Sequence, residues 1–253
     1  AVGEREEWGG GGELGGVKGV GWEGEGLSEV CGGAKLERHG AGVAGQGGQA
    51  PRAKRAVTAT KTARGEALGR VYAEHYLSAT EKQRVQAIVA NVAAAFRARV
   101  NASTWMTPAT KQQALTKLRT LYIGIGYPDR WQDYSDLRID TTDAAGNLRR
   151  IEDRNYRQAL ARLGKPVDRT TWWMAPQTPG AVLIFQQNSY DFSAALLQSP
   201  KYDPTASDAA NYGAIVAIIG HDISHYIDRL GSAFDSAGRE QGGWTADDSA
   251  QFR

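Results

Sequence analysis

Between about Asp208 and Leu230 the chain sets Ile215, Ile218, Ile219, Ile223, Tyr226, Ile227 and Leu230 at helical spacing. A stripe this apolar defines a helix that must be buried, so the rest of the chain has to supply its cover. Helical periodicity upstream offers that cover. Leu68, Val71, Tyr72 and Tyr76 repeat on one face from about Gly65, and Val85, Ile88, Val89, Val92, Ala95, Phe96 and Val100 continue for further turns. Thr107-Pro108 reads as an N-cap with proline at the first helical position, opening a helix through Ala114, Leu115 and Leu118. Gly124, Gly126 and Pro128 read as a loop, Asp133 to Asn147 is polar and turn-rich, and a further helix is expected over Asn155 to Leu163. Ala181 to Phe185 has the length and composition of a strand, and Tyr190 and Phe192 alternate with polar neighbours as on a second one. Gly231 is the expected stop of the apolar helix. The fold class is therefore mainly α with a small β element, α+β.

Most of the chain's 31 glycines fall before Ala50, in strings without periodic apolar residues. Such sequence cannot bury enough surface to offset its ordering entropy, so residues 1–62 are expected to form a disordered tail. The basic run Arg52, Lys54, Arg55, Lys61 and Arg64 is expected to lie on it. Beyond it come a mainly helical segment over 63–173 and a mixed one over 174–253. A net charge of +2, with no aromatic-plus-basic stripe, argues against a nucleic-acid partner. No run of about 18 apolar residues marks a membrane span. The N-terminus shows no signal peptide. The lone Cys31 excludes an internal disulfide framework.

Inside the apolar helix lies Gly220-His221-Asp222-Ile223-Ser224-His225. Residues four apart share one helix face, so both imidazoles can reach a single tetrahedral zinc ion. A carboxylate directly after the first histidine faces the same side and can accept a proton from attacking water. The usual pattern is H-E-x-x-H, and here aspartate takes the glutamate position. Two histidines so spaced also occur as half-buried polar residues with local hydrogen bonds. His39 falls in the glycine-rich segment and His75 on a helix surface.

The surroundings carry more information. Asn211 to Ile215 with Ile218-Ile219-Gly220-His221 closely resembles the zinc-helix block of the neprilysin and endothelin-converting-enzyme family of metallopeptidases. Phe234-Asp235 to Gly238 and Trp244 to Asp248 are similar to the family's segment just after that helix. Phe192 to Pro200 resembles its F-P-A-x-x-L-Q-P-P block, and Trp105-Met106 through Lys117-Leu118 and Ile125 to Trp131 match its W-M…A…K-L…I-G-Y-P-D-x-W stretch. The resemblance runs in order from about Gly65 to Arg253.

It implies a fragment of a thermolysin-like zinc metallopeptidase domain plus part of its helical companion domain. Residues 63–173 would belong to the end of the N-terminal domain, and 174–253 would start the catalytic domain, with the zinc helix at 208–230. His221 and His225 would be zinc ligands, Asp222 the general base, and peptides the substrate. The family's third ligand is a glutamate on a later helix, at a position beyond Arg253, so the resemblance implies an incomplete site with weak or absent activity. A non-catalytic relic or binding module is the alternative. The substrate-gripping strand corresponds to Gly180 and Ala181, with glycine where the family has asparagine. The resemblance further implies a place outside the cytoplasm or on membranes.

Overall fold

The computed structural model describes residues 48, 50–241 and 243–252. In chain order the elements are helices α1 (Arg52–Tyr76), α2 (Ala79–Ala102) and α3 (Pro108–Thr120), strand β1 (Tyr122–Gly126), helix α4 (Ala144–Leu160), strands β2 (Ala181–Ile184) and β3 (Ser189–Ser193), and helices α5 (Asp208–Ser224) and α6 (Ala246–Gln251). Short 3-10 turns occupy Phe185–Gln187 and Gly231–Ala233. The chain divides into two units, one of Gly65–Gln132 with Lys165–Arg253, the other of Ala1–Arg64 with Asp133–Gly164.

Helix α1 begins at Arg52, inside the segment expected to be a disordered tail. The run of Ala, Lys and Arg there has high intrinsic helix propensity, which the absence of an apolar stripe concealed. Residues 1–47 and 49 of that expectation lie outside the described residues. The helix is interrupted at Arg64, whose φ of −138° and ψ of 43° are not helical. In the smaller unit, α4 starts well before the expected Asn155. Asp143 caps it by accepting the Gly146 N–H at 2.8 Å. Arg154, nearly buried, pairs with Asp136 at 2.9 Å and lies over the Tyr134 ring.

The larger unit holds the sheet, ordered β1-β3-β2, with β1 parallel and β2 antiparallel to β3. The stretch read as a loop around Gly124 and Gly126 is strand β1. Its glycines are a packing requirement and not a turn. Gly124 pairs with Asp191, and a Cβ at Gly124 would collide with the Asp191 carboxylate and the Trp172 ring. Gly126 has a φ of 75°, which glycine adopts without penalty and which ends the strand.

Helices α2 and α3 start on side-chain caps. Ser78 and Glu81 form a reciprocal capping box, and Thr107 caps α3 ahead of Pro108 as expected. Val85, Ile88, Val89 and Val92 of α2 share one core with Leu118 of α3, Tyr190 and Phe192 of β3, and Ile215, Ile219 and Ile223 of α5. Packing therefore runs across the expected boundary between residues 173 and 174. No helix among the described residues is long and apolar enough to cross a membrane.

Asp191 is fully buried on the sheet face opposite Tyr190, and neither carboxylate oxygen has a hydrogen-bond partner of good geometry. Burial pushes its carboxyl up to about 7, with a smaller pull the other way from the Trp173 backbone N–H. A folded-state value above the unfolded one means that the native protein holds this proton more tightly. Stability then falls as pH rises from about 4 to about 7 and levels off above. Asp191→Asn should therefore stabilise the protein at pH 8 relative to pH 4, by on the order of 3–4 kcal/mol in the difference. Urea unfolding of both proteins at the two pH values measures it, and an equal effect at both would contradict the assignment.

Candidate metal centre

Helix α5 is capped by Ser207, whose hydroxyl accepts the Ala210 N–H at 3.2 Å. It ends at Ser224 and not at Leu230 as the apolar stripe suggested. From His225 the bonds tighten to three-residue spacing, as in Tyr226 N–H to Ile223 C=O at 3.1 Å and Ile227 N–H to Ser224 C=O at 3.0 Å. His225 is the C-cap, yet its φ of −63° and ψ of −18° remain right-handed. The four-residue spacing thus still stacks His225 beside His221.

The ring nitrogens converge. His221 Nε2 and His225 Nε2 lie 3.1 Å apart, with the rings nearly perpendicular at 88°. Two nitrogens of a tetrahedral zinc site at the usual bond length stand about 3.3 Å apart. The separation of the pair is therefore close to the one such an ion requires. On its other side His225 Nδ1 lies 2.6 Å from Asp228 Oδ2. A carboxylate there fixes the Nδ1–H tautomer and leaves Nε2 as the lone-pair nitrogen, the arrangement that metal-binding histidines use. Among the described residues no group of three His, Cys, Asp or Glu side chains could hold a metal.

Asp222 is half-buried and turns back toward the sheet. The Tyr190 hydroxyl donates to its Oδ2 at 2.7 Å. Tyr190 is fully buried on β3, and burial first, then the bond to Asp222, push its phenol far above the ordinary range. It is therefore a permanent donor. Tyr226, one residue beyond the second histidine, bonds the Ser189 carbonyl and so ties the end of the helix to the same strand. Ala181 pairs with Phe192, and the Gly180 carbonyl faces inward, accepting the Ser193 N–H at 3.1 Å. Gly180 precedes and Ala181 opens β2, which among the described residues has a strand neighbour on one side only.

His221, Asp222 and His225 are thus together on one helix end, and Gly180 and Ala181 sit at an edge strand. Two partners of the site lie outside the motif. Asp228 stands three residues after His225, a spacing that places it one turn on, and this signal was present in the sequence. Tyr190 is 32 residues from Asp222 and gave no local sign.

Two family models match the chain, each described as peptidase family M13, over residues 34–128 and 181–253. The predominantly helical architecture, with its small sheet and paired-histidine helix, accords with these matches, and the chain belongs to peptidase family M13. The neutral endopeptidase of Lactobacillus helveticus is 35% identical over 74% of this chain and 29% of its own length. Neprilysin-1 of Trittame loki is 31% identical over 74% of this chain and 27% of its own. Among solved structures, Mycobacterium tuberculosis zinc metalloprotease Zmp1 in its open state is 38% identical with a TM-score of 0.79, covering 89% of this chain and 35% of that one. PepO from Lactobacillus rhamnosis is 29% identical with a TM-score of 0.82, covering 93% and 37%. The chain spans about a third of the length of the curated relatives it matches.

Proposed function

We propose that this chain carries the paired-histidine half of a zinc metalloendopeptidase centre, of the kind whose substrates are peptides. The observation that carries the reading is the convergence of His221 Nε2 and His225 Nε2 at 3.1 Å, with Asp228 behind the second ring. Membership of family M13 supports it, as does the naming of Zmp1 as a zinc metalloprotease. His221 and His225 would hold the zinc, which when bound supplies a Lewis acid toward the scissile carbonyl. Asp222 is the group available to accept a proton from attacking water. Its Oδ2 is held by Tyr190, so Oδ1 is the oxygen left to act. Gly180 and Ala181 open an edge along which an extended peptide can add as a further strand. With no amide side chain at residue 180, the hydrogen bonds offered at the opening of that strand come from backbone alone.

The 253-residue chain by itself is proposed to bind zinc weakly and to hydrolyse peptides poorly or not at all. Two imidazoles, with no third protein ligand among the described residues, leave the metal mostly water-ligated. The Asp222 carboxylate stands one methylene further back than glutamate, and misplacement of about 1 Å can reduce a rate about a hundredfold. The bond from Tyr190 draws it toward the sheet, which is the observation that favours the alternative, a domain that binds metal without catalysis.

Hydrolysis of a quenched fluorescent peptide tests both readings, with and without chelator. The expected rate for the chain alone is close to background, unchanged by Asp222→Glu. Chelator-sensitive turnover that Asp222→Asn removes would establish the enzyme and overturn the proposed inactivity of the chain alone.

A further inference from the structure

Lys117 of α3 is only 5% exposed, yet it carries a charge that the hydrophobic core does not use. Its Nζ donates to the carbonyl of Gly231, the residue that opens the 3-10 turn after the metal helix. Gly231 is packed too closely for any side chain, because a Cβ would collide with the His225 carbonyl and the Tyr226 backbone. The N–H of that same Gly231, with that of Leu230, donates to Asp228 Oδ1 at 3.1 and 2.8 Å. The other oxygen of Asp228 lies 2.6 Å from His225 Nδ1. The lysine end is fixed as well, since the Asn188 side-chain amide donates to the Lys117 carbonyl at 3.2 Å. Burial lowers the Lys117 ammonium to about 8, and the nearby charges of Asp228 and Asp235 keep it from falling further.

We infer that Lys117 is a positioning residue for the metal pair, reaching from α3 to clamp the Gly231 carbonyl and thereby holding Asp228 against His225. The inference rests on the reading of His221 and His225 as metal ligands. Its physical content is a chain of contacts. An ammonium on the Gly231 carbonyl fixes the Gly231–Ser232 peptide plane and so anchors the residue whose own N–H, with that of Leu230, faces Asp228. The fixed turn presents two amides to one oxygen of Asp228, and the other oxygen then has a single orientation, toward Nδ1. Without the clamp the turn gains freedom, and His225 is released to exchange tautomers and swing its Nε2 away from His221. Residues that orient a ligand from behind typically change metal affinity about 10–100-fold, and Lys117, one step further out, belongs at the lower end.

The test compares wild type with Lys117→Met, which keeps the stem and removes the donor. Lys117→Gln is the second variant, whose amide stops short of Gly231 and can be solvated through the adjoining cleft of about 150 Å3 beside Gln113, Thr116 and Gln241. Long-range 1H–15N spectra of the metal-free proteins at neutral pH read the His225 tautomer, with His75 as an internal reference. Chelator competition reads zinc affinity. The expected result is Nδ1–H at His225 in wild type, a tautomer mixture in either folded variant, and about a tenfold loss of zinc affinity. A folded variant that keeps the Nδ1–H tautomer and the wild-type affinity would overturn the inference. If wild type binds no zinc while the substitutions still release the tautomer, the metal reading fails and the clamp stands.

Discussion

His225→Ala should reduce zinc affinity by two orders of magnitude or more, and His221→Ala should do the same. Each substitution removes one of the two converging imidazoles, and one imidazole with water is no better than a surface histidine. The two variants should nonetheless differ in stability. His221 is exposed, so its loss should leave unfolding nearly unchanged. His225 is half-buried, and its loss strips the 2.6 Å partner from Asp228 Oδ2, whose other oxygen holds the Leu230 and Gly231 amides. A modest loss of about 1 kcal/mol is expected there. Chelator-competition titration and urea unfolding of the same preparations separate the two effects. Affinity that survives both substitutions would place the metal elsewhere.

Asp248→Ala is expected to destabilise the protein by on the order of 3–5 kcal/mol, the largest effect among substitutions outside the metal pair. Asp248 is fully buried between two helix N-termini. It accepts the backbone N–H of Thr107 at 2.7 Å and of Thr245 at 3.1 Å, and the hydroxyls of Thr107, Thr110 and Thr245. Burial alone would raise its carboxyl, but these donors hold it well below the usual carboxylate range. Positive ends of both helix dipoles add to the effect. Alanine leaves all five donors without that acceptor. Because the folded-state value is depressed, the contribution is complete above the ordinary carboxylate range and is lost as pH falls below it. Thermal unfolding at about pH 7 and about pH 2.5 should therefore show a large gap between wild type and variant at the first and a smaller one at the second. The edge-on cluster of Trp105, Trp244 and Phe252 beside this junction should keep the variant folded at low temperature.

The helical part of the fold was legible wherever periodic apolar residues met a cap. Ser78, Thr107 and Ser207 all cap by side chain, and the stripes they introduce are buried in the core. Strand β1 was not legible, because Gly124 and Gly126 signal a turn in sequence and here answer to close approach of Asp191 and to a left-handed φ. The end of α5 misled for a different reason. Tyr226 and Ile227 continue the apolar stripe, but three-residue bonding replaces four-residue bonding at His225 without any change in residue type. In the candidate site, the histidine pair and Asp222 stem from spacing on one helix. Tyr190 and Lys117 do not, because each reaches the site from another element across 32 and 114 residues of chain.

The measurement that bears most directly on the paired-histidine centre is zinc K-edge X-ray absorption of the chain loaded with substoichiometric zinc. The reading of His221 and His225 as joint ligands predicts outer-shell scattering from two imidazoles per metal, absent from the His221→Ala, His225→Ala double variant. A zinc spectrum without imidazole scattering, or one that the double substitution leaves unchanged, would contradict it.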